Sequence, residues 1–361
     1  MSGDRARIYA GTAGHSAWFS SDRGQSWIHP NSHSGLYLEA RVWCFAAHPS
    51  EPRWLYAGTD EGLYRFDEET ARWSRVESPL GDVWSVAIDP ADPARLICGT
   101  RPAALWLSED GGARWQSLAA PGLRTFSEIN RGPTRVTQIL FDPIDTGTVW
   151  ASVEIGGIFR SRDAGRNWTL QDEGLVSADV HGIAVARAAD GSKRLFATTN
   201  RGVHRSDDDG EHWQFVRLDS PWQYTRAILA LPQSEPDSGV PGPGARGGAD
   251  LRRLLMTNGD GPPGSTGRLL ASDDGGDHWR VIELPGPLNS TPWCIAADPA
   301  DPSLLFLCTN LGQLFRSDDG ACTWQRLPHE LGEVRALLWR RLPEGIGTHA
   351  EHSITRRPQP A

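Results

Sequence analysis

Apolar residues in this chain come in short runs closed by turn residues, and no stretch holds a helical period. Val42-Trp43-Cys44-Phe45-Ala46-Ala47 runs into His48-Pro49, Val83 to Ile88 into Asp89-Pro90, and Trp293 to Ala297 into Asp298-Pro299. Proline cannot donate to a ladder, so each pair ends a strand and opens a turn. A second run follows each of these, as in Leu55–Thr59, Leu96–Thr100 and Leu195–Thr199, a pattern seen across the chain. A third ends in serine (Gly157 to Ser161), and a fourth carries a tryptophan outward (Trp168 to Leu170). Four short strands joined by Gly, Asp and Pro turns predict repeated antiparallel units.

The repeat is registered by tryptophan. Ser-x-Asp-x-Gly-x-x-Trp occurs at Ser20 to Trp27, Ser108 to Trp115, Ser161 to Trp168, Ser206 to Trp213 and Ser272 to Trp279. A copy at Ser317 to Trp324 has Ala321 in place of glycine, and one at Phe66 to Trp73 keeps only Trp73 and the acidic Glu68. The spacing of about 45 residues, with two insertions, is that of a four-stranded propeller blade. First strands are predicted near Val42, Val83, Val136, Val180, Tyr224, Trp293 and Val334. The last has no second to fourth strand of its own, whereas Ile8–Thr12, Ala17–Ser20 and Trp27–His29 lack a first. The expectation is therefore an all-β, single seven-bladed β-propeller over residues 1–340. Its C-terminal strand, Val334–Trp339, closes the ring in the N-terminal blade. Residues 232–252, rich in Pro and Gly, are expected to form a flexible insertion loop, and 341–361 a disordered tail.

The box residues suit a tight turn between third and fourth strands. Serine and aspartate bond turn backbone, glycine admits positive φ, and tryptophan buries against its neighbours. On these residues the chain resembles the Asp-box (BNR) repeat propellers. That group includes sialidases, xyloglucan-degrading glycosidases, the luminal domain of sortilin and photosystem II assembly factors. Blade number and length are most similar to the assembly-factor group and its bacterial relatives. The resemblance implies a fold rather than a reaction, because the box lies away from the ligand face in these proteins. The sialidase set does not carry over: no Arg-Ile-Pro segment opens the chain, and of five tyrosines only Tyr37 and Tyr224 lie off core positions.

Composition narrows the partners. A formal charge of −9 with no basic run argues against nucleic acid, and no apolar stretch is long enough for a spanning helix. The N-terminal residues lack a secretory apolar region, and five scattered cysteines form no paired framework, so a cytoplasmic monomer is the expectation. No phosphate loop or nucleophile elbow is present, and no cofactor or metal is called for. The acidic box loops, Asp207-Asp208-Asp209 among them, read as turn chemistry rather than a Ca2+ site.

Propellers bind ligands where the first strands begin. Equivalent positions around the ring collect Trp43, Trp84, Thr137, His181, Arg226, Trp293 and Arg335. Neighbouring loops add Asp60, Glu61, Arg101, Glu154, Asp179 and Arg201. The candidate ligand-binding residues are Trp43, Trp84, Arg101, His181, Arg201, Arg226, Trp293 and Arg335. Glu154, Asp60 and His181 are the candidates for catalysis. Against this stands a structural reading, in which the tryptophans plug the channel and the arginines are neutralised by Asp82, Asp179 and Glu333. The first functional expectation is a non-catalytic scaffold binding a protein segment or small ligand at the channel mouth. The alternative is a glycoside hydrolase, with aromatic faces stacking sugar and two carboxylates sharing acid and base roles.

Overall fold

A computed structural model describes residues 5–29, 33–48, 50–232, 251–298, 301–343 and 346. Among these residues, six four-stranded antiparallel sheets and one three-stranded sheet form the seven blades. The first strands of the six are Val42–Ala47, Asp82–Asp89, Arg135–Phe141, Val180–Arg187, Tyr224–Leu231 and Pro292–Asp298. In the seventh, Val334–Leu342 pairs with Arg5–Thr12, which pairs in turn with Ala17–Ser20. The ring is therefore closed by its two chain ends.

Three details differ from expectation. The strand sought at Trp27–His29 shrinks to one bridge, Phe19 to Ile28, and Pro30 follows too soon to extend the ladder. The closing strand runs to Leu342, past the expected limit at 340, because Arg341 and Leu342 pair with Ala6 and Arg5. A small hairpin, Phe126–Ser127 with Gly132–Pro133, stands ahead of the Arg135 strand and has no counterpart in the repeat. The interior of the 232–252 insertion and nearly all of the 341–361 tail lie outside the described residues.

The boxes fold alike for a local reason. Ser20 Oγ donates to Asp22 Oδ1 (2.8 Å) and accepts from Gly24 N (2.8 Å), while Asp22 Oδ1 accepts from Ser26 N (2.9 Å). The Ser-to-Asp bond recurs at Ser108, Ser161, Ser206, Ser272 and Ser317. Burial opposes ionisation of Asp163, but the Asn167 backbone and side-chain donors outweigh it and hold that carboxyl at about 2. Ala321, standing where the five intact boxes have glycine, keeps the left-handed turn at φ 69°. Trp168, 2% exposed, anchors its blade. Burying that ring contributes on the order of 4–6 kcal/mol of gross hydrophobic stabilisation. Blades also meet closely: a Cβ on Gly99 would lie 2.4 Å from Val136 Cβ in the next blade, so only glycine fits there.

The degenerate seventh box has a different job. Glu68, fully buried, receives Arg7 Nη1 at 2.6 Å, Arg340 Nη2 at 2.5 Å and the Tyr9 hydroxyl. Arg7 and Tyr9 lie on the N-terminal strand and Arg340 on the C-terminal one. One carboxylate from the neighbouring blade thus clamps both strands of the ring closure.

Candidate ligand site at the channel

The channel wall is built by a defect repeated in all seven blades. Each first strand carries a β-bulge just after it begins. The ladder passes from Val42 to Cys44, Val83 to Ser85, Val136 to Gln138 and Val180 to Gly182. It then skips from Thr225 to Ile228, Pro292 to Cys294 and Val334 to Ala336. The residues left unpaired are Trp43, Trp84, Thr137, His181, Arg226 with Ala227, Trp293 and Arg335. A bulge bends its strand and re-aims the extra side chain. At three of the bulges a backbone carbonyl accepts from a side chain of the preceding blade. Val136 O accepts from Ser85 Oγ (3.0 Å), Val180 O from Thr137 Oγ1 (2.8 Å) and Arg226 O from Thr198 Oγ1 (2.7 Å).

All of these residues except Trp84 line a cavity of about 290 Å3. Trp84 stacks on Trp43 with ring centroids 4.1 Å apart and planes 14° from parallel. Trp43 Nε1 donates to Asp82 Oδ1 at 2.7 Å, which fixes the indole of a half-buried platform. The Arg135 guanidinium covers the Trp84 ring at 4.1 Å and is ion-paired with Glu154.

Opposite protonation preferences meet beside this platform. Asp179, on the loop into the Val180 strand, has its pKa pushed up to about 6 by burial and by the nearby Glu154 charge, with Arg226 and Arg135 restraining the rise. Its Oδ1 is buried without a hydrogen-bond partner. His181 Nδ1 lies 2.6 Å from Thr225 O, so it must be the donor there, because a carbonyl only accepts. Burial and the Arg226 charge push the His181 pKa well below its usual range, so the ring is neutral and its Nε2 bears a lone pair. That nitrogen faces Asp179 Oδ1 at 3.6 Å, an arrangement suited to a protonated Asp179. Glu154, by contrast, sits in an ion pair with Arg135.

The sequence candidates divide on this geometry. Asp60 accepts from the Tyr37 hydroxyl and from Arg41 N at 3.1 Å, so it serves the loop rather than the cavity. Arg201 is exposed in the turn after the Lys193–Thr199 strand and does not line the cavity. Arg101 pairs across the ladder with Asp82, its charge counteracting the burial that raises the Asp82 pKa. Sequence reasoning missed Gln138, whose Oε1 accepts from Ile183 N at 2.7 Å in the cavity wall. Strict alternation assigns Gln138 and Thr137 to opposite faces; the bulge brings both to the cavity.

No family model matches the chain. Against curated proteins it is 26% identical over 350 residues to an oligoxyloglucan-reducing end-specific xyloglucanase of Emericella nidulans, covering 85% of this chain and 42% of that one. A 149-residue match at 25% identity, 41% of this chain and 38% of the other, is to the photosystem II assembly lipoprotein Ycf48 of a Synechococcus strain. The chain spans less than half the length of the xyloglucanase, and the sequence match to Ycf48 covers little more than a third of that protein. Among solved structures it superposes on the GH74 xyloglucanase of Xanthomonas campestris with a TM-score of 0.58, at 19% identity, covering 84% of this chain and 46% of that one. A structure of YCF48 bound to D1 peptide gives 0.51 at 17% identity, covering 84% and 94%. These likenesses establish the propeller fold, whose seven blades and end-to-end closure match the sequence expectation.

Proposed function

We propose that the channel mouth binds a carbohydrate chain and hydrolyses a glycosidic bond, with Asp179 as proton donor and Glu154, ion-paired with Arg135, as the second carboxyl, both standing beside the cavity rather than in its lining. The observation that carries this reading is the unlike setting of the two carboxyls: Asp179 is buried, with Oδ1 unpartnered and its pKa pushed up to about 6, whereas Glu154 is ion-paired with Arg135. Glycoside hydrolysis requires such a division: a neutral acid for the leaving oxygen and an anion to assist the oxocarbenium-like centre or its attacking water. The Trp43–Trp84 platform supplies an apolar face for a sugar ring. Similarity to xyloglucanases over most of the chain supports the same reading, and favours it over the scaffold expectation. The test is release of reducing ends from a panel of β-glucan oligosaccharides, xyloglucan fragments included. Asp179→Asn and Glu154→Gln are expected to lower turnover at least a hundredfold with unfolding temperature retained. Wild-type protein that binds the oligosaccharides and releases nothing overturns the catalytic assignment.

A second reading has its own support: the chain matches nearly the whole length of YCF48, one structure of which holds a peptide. Under it, Asp179→Asn leaves function intact and an extended peptide, not a sugar, occupies the mouth.

A further inference from the structure

The cavity holds a cation that makes no ion pair among the described residues, although its charge reaches Asp179. Arg335 is ion-paired with Glu333, and Arg135 with Glu154. Arg226, half-buried between them on the wall, makes no ion pair or side-chain hydrogen bond among the described residues. Its guanidinium lies 4.3 Å above the Trp293 ring, and the Arg335 guanidinium lies 5.0 Å from the same ring. One indole therefore holds two guanidiniums beside the same cavity. Arg335 Nε is buried and also lacks a hydrogen-bond partner. Stacking on Trp293 orients both groups but satisfies none of their N–H donors, since a ring face takes charge rather than hydrogen bonds. Like charges brought together and left short of acceptors gain most from an arriving anion with two oxygens.

The geometry points to a carboxylate-bearing sugar as ligand, its carboxylate placed on Arg226 with Arg335 beside it; we propose a uronate-containing oligosaccharide as the substrate class. This rests on the carbohydrate reading above. A carboxylate set on the sugar ring suits this placement, since Trp43, on another blade but lining the same cavity, offers the ring an apolar surface. A neutral glucan would leave Arg226 desolvated by the occupant and unpaired, a penalty that disfavours it.

The test is calorimetric titration of the full chain with trigalacturonic acid, its fully methyl-esterified form, a neutral xyloglucan oligosaccharide, and a short peptide ending in a free carboxylate. The acid is expected to bind at least tenfold more tightly than its ester, with affinity falling as salt is raised. Arg226→Gln is expected to abolish that preference and its salt dependence, and Arg226→Lys to restore part of both. Thermal unfolding of both variants checks that the fold persists. Equal binding of acid and ester, or binding of the neutral oligosaccharide alone, overturns the uronate proposal and leaves the carbohydrate reading standing. Binding of the peptide in an Arg226-dependent way, with no sugar bound, overturns the carbohydrate reading together with this one. No binding of any probe overturns the proposal as well.

Discussion

Replacing Glu68 with glutamine keeps the volume of the side chain but removes the charge on which the ring closure depends. Arg7 and Arg340 are 1% and 7% exposed, and Glu68 is fully buried. The substitution leaves two guanidiniums in the interior facing a neutral amide. Breaking a buried ion pair by removing one partner costs about 3–5 kcal/mol, because the remaining charge stays desolvated. With an unfolding entropy of about 2.1 cal/mol/K per residue over roughly 330 residues, 4 kcal/mol lowers the melting temperature by about 6 °C. Urea unfolding followed by tryptophan fluorescence measures the loss as a shift in midpoint. The internal control spans the seam on the other flank of the closing blade, where Arg23 and Asp318 are paired at 3.3 Å but are 52% and 37% exposed. Asp318→Ala is therefore expected to change stability by less than about 1 kcal/mol. A triple change of Arg7 to Met, Glu68 to Leu and Arg340 to Met is expected to recover most of the loss, since no buried charge remains. If Glu68→Gln unfolds within 0.5 kcal/mol of wild type, the clamp carries no weight and the reasoning fails.

Two further outcomes follow from local geometry. Ser161→Ala removes the acceptor of Gly165 N (2.9 Å) and the donor to Asp163 (2.7 Å), and is expected to cost about 1–3 kcal/mol in denaturant midpoint. His204 is buried, its Nε2 accepting from Val176 N at 3.1 Å, and burial pushes its pKa down to about 4. A folded pKa below the unfolded 6.5 means that stability is complete above pH 6.5 and is lost as pH falls toward 4. The loss, on the order of 3 kcal/mol, should be absent from the pH–stability profile of His204→Phe.

Much of the site was already legible. Aligning the repeats picked out Trp43, Trp84, Thr137, His181, Arg226, Trp293 and Arg335 as equivalent, and they are the residues released by the bulges. A repeat whose blades fold alike carries one backbone defect to seven places, so equivalence in sequence becomes proximity in space. The loop residues were less readable. Asp60 and Arg201 occupy corresponding loops, yet one is consumed by Tyr37 and Arg41 and the other is exposed, because loops carry no ladder to hold them in register.

Blade number, box turns and the joining of the two ends follow from the sequence alone, since each rests on contacts between residues close in the chain or on a missing strand supplied by the opposite terminus. Charge was decided only in three dimensions. Whether an arginine is paired, stacked or left short of acceptors, and whether a carboxyl keeps its proton, depends on neighbours from other blades and on the water they exclude. Glu68 reads as the remnant of a decayed box, and only the packing of three strands around it makes it the clamp of the ring.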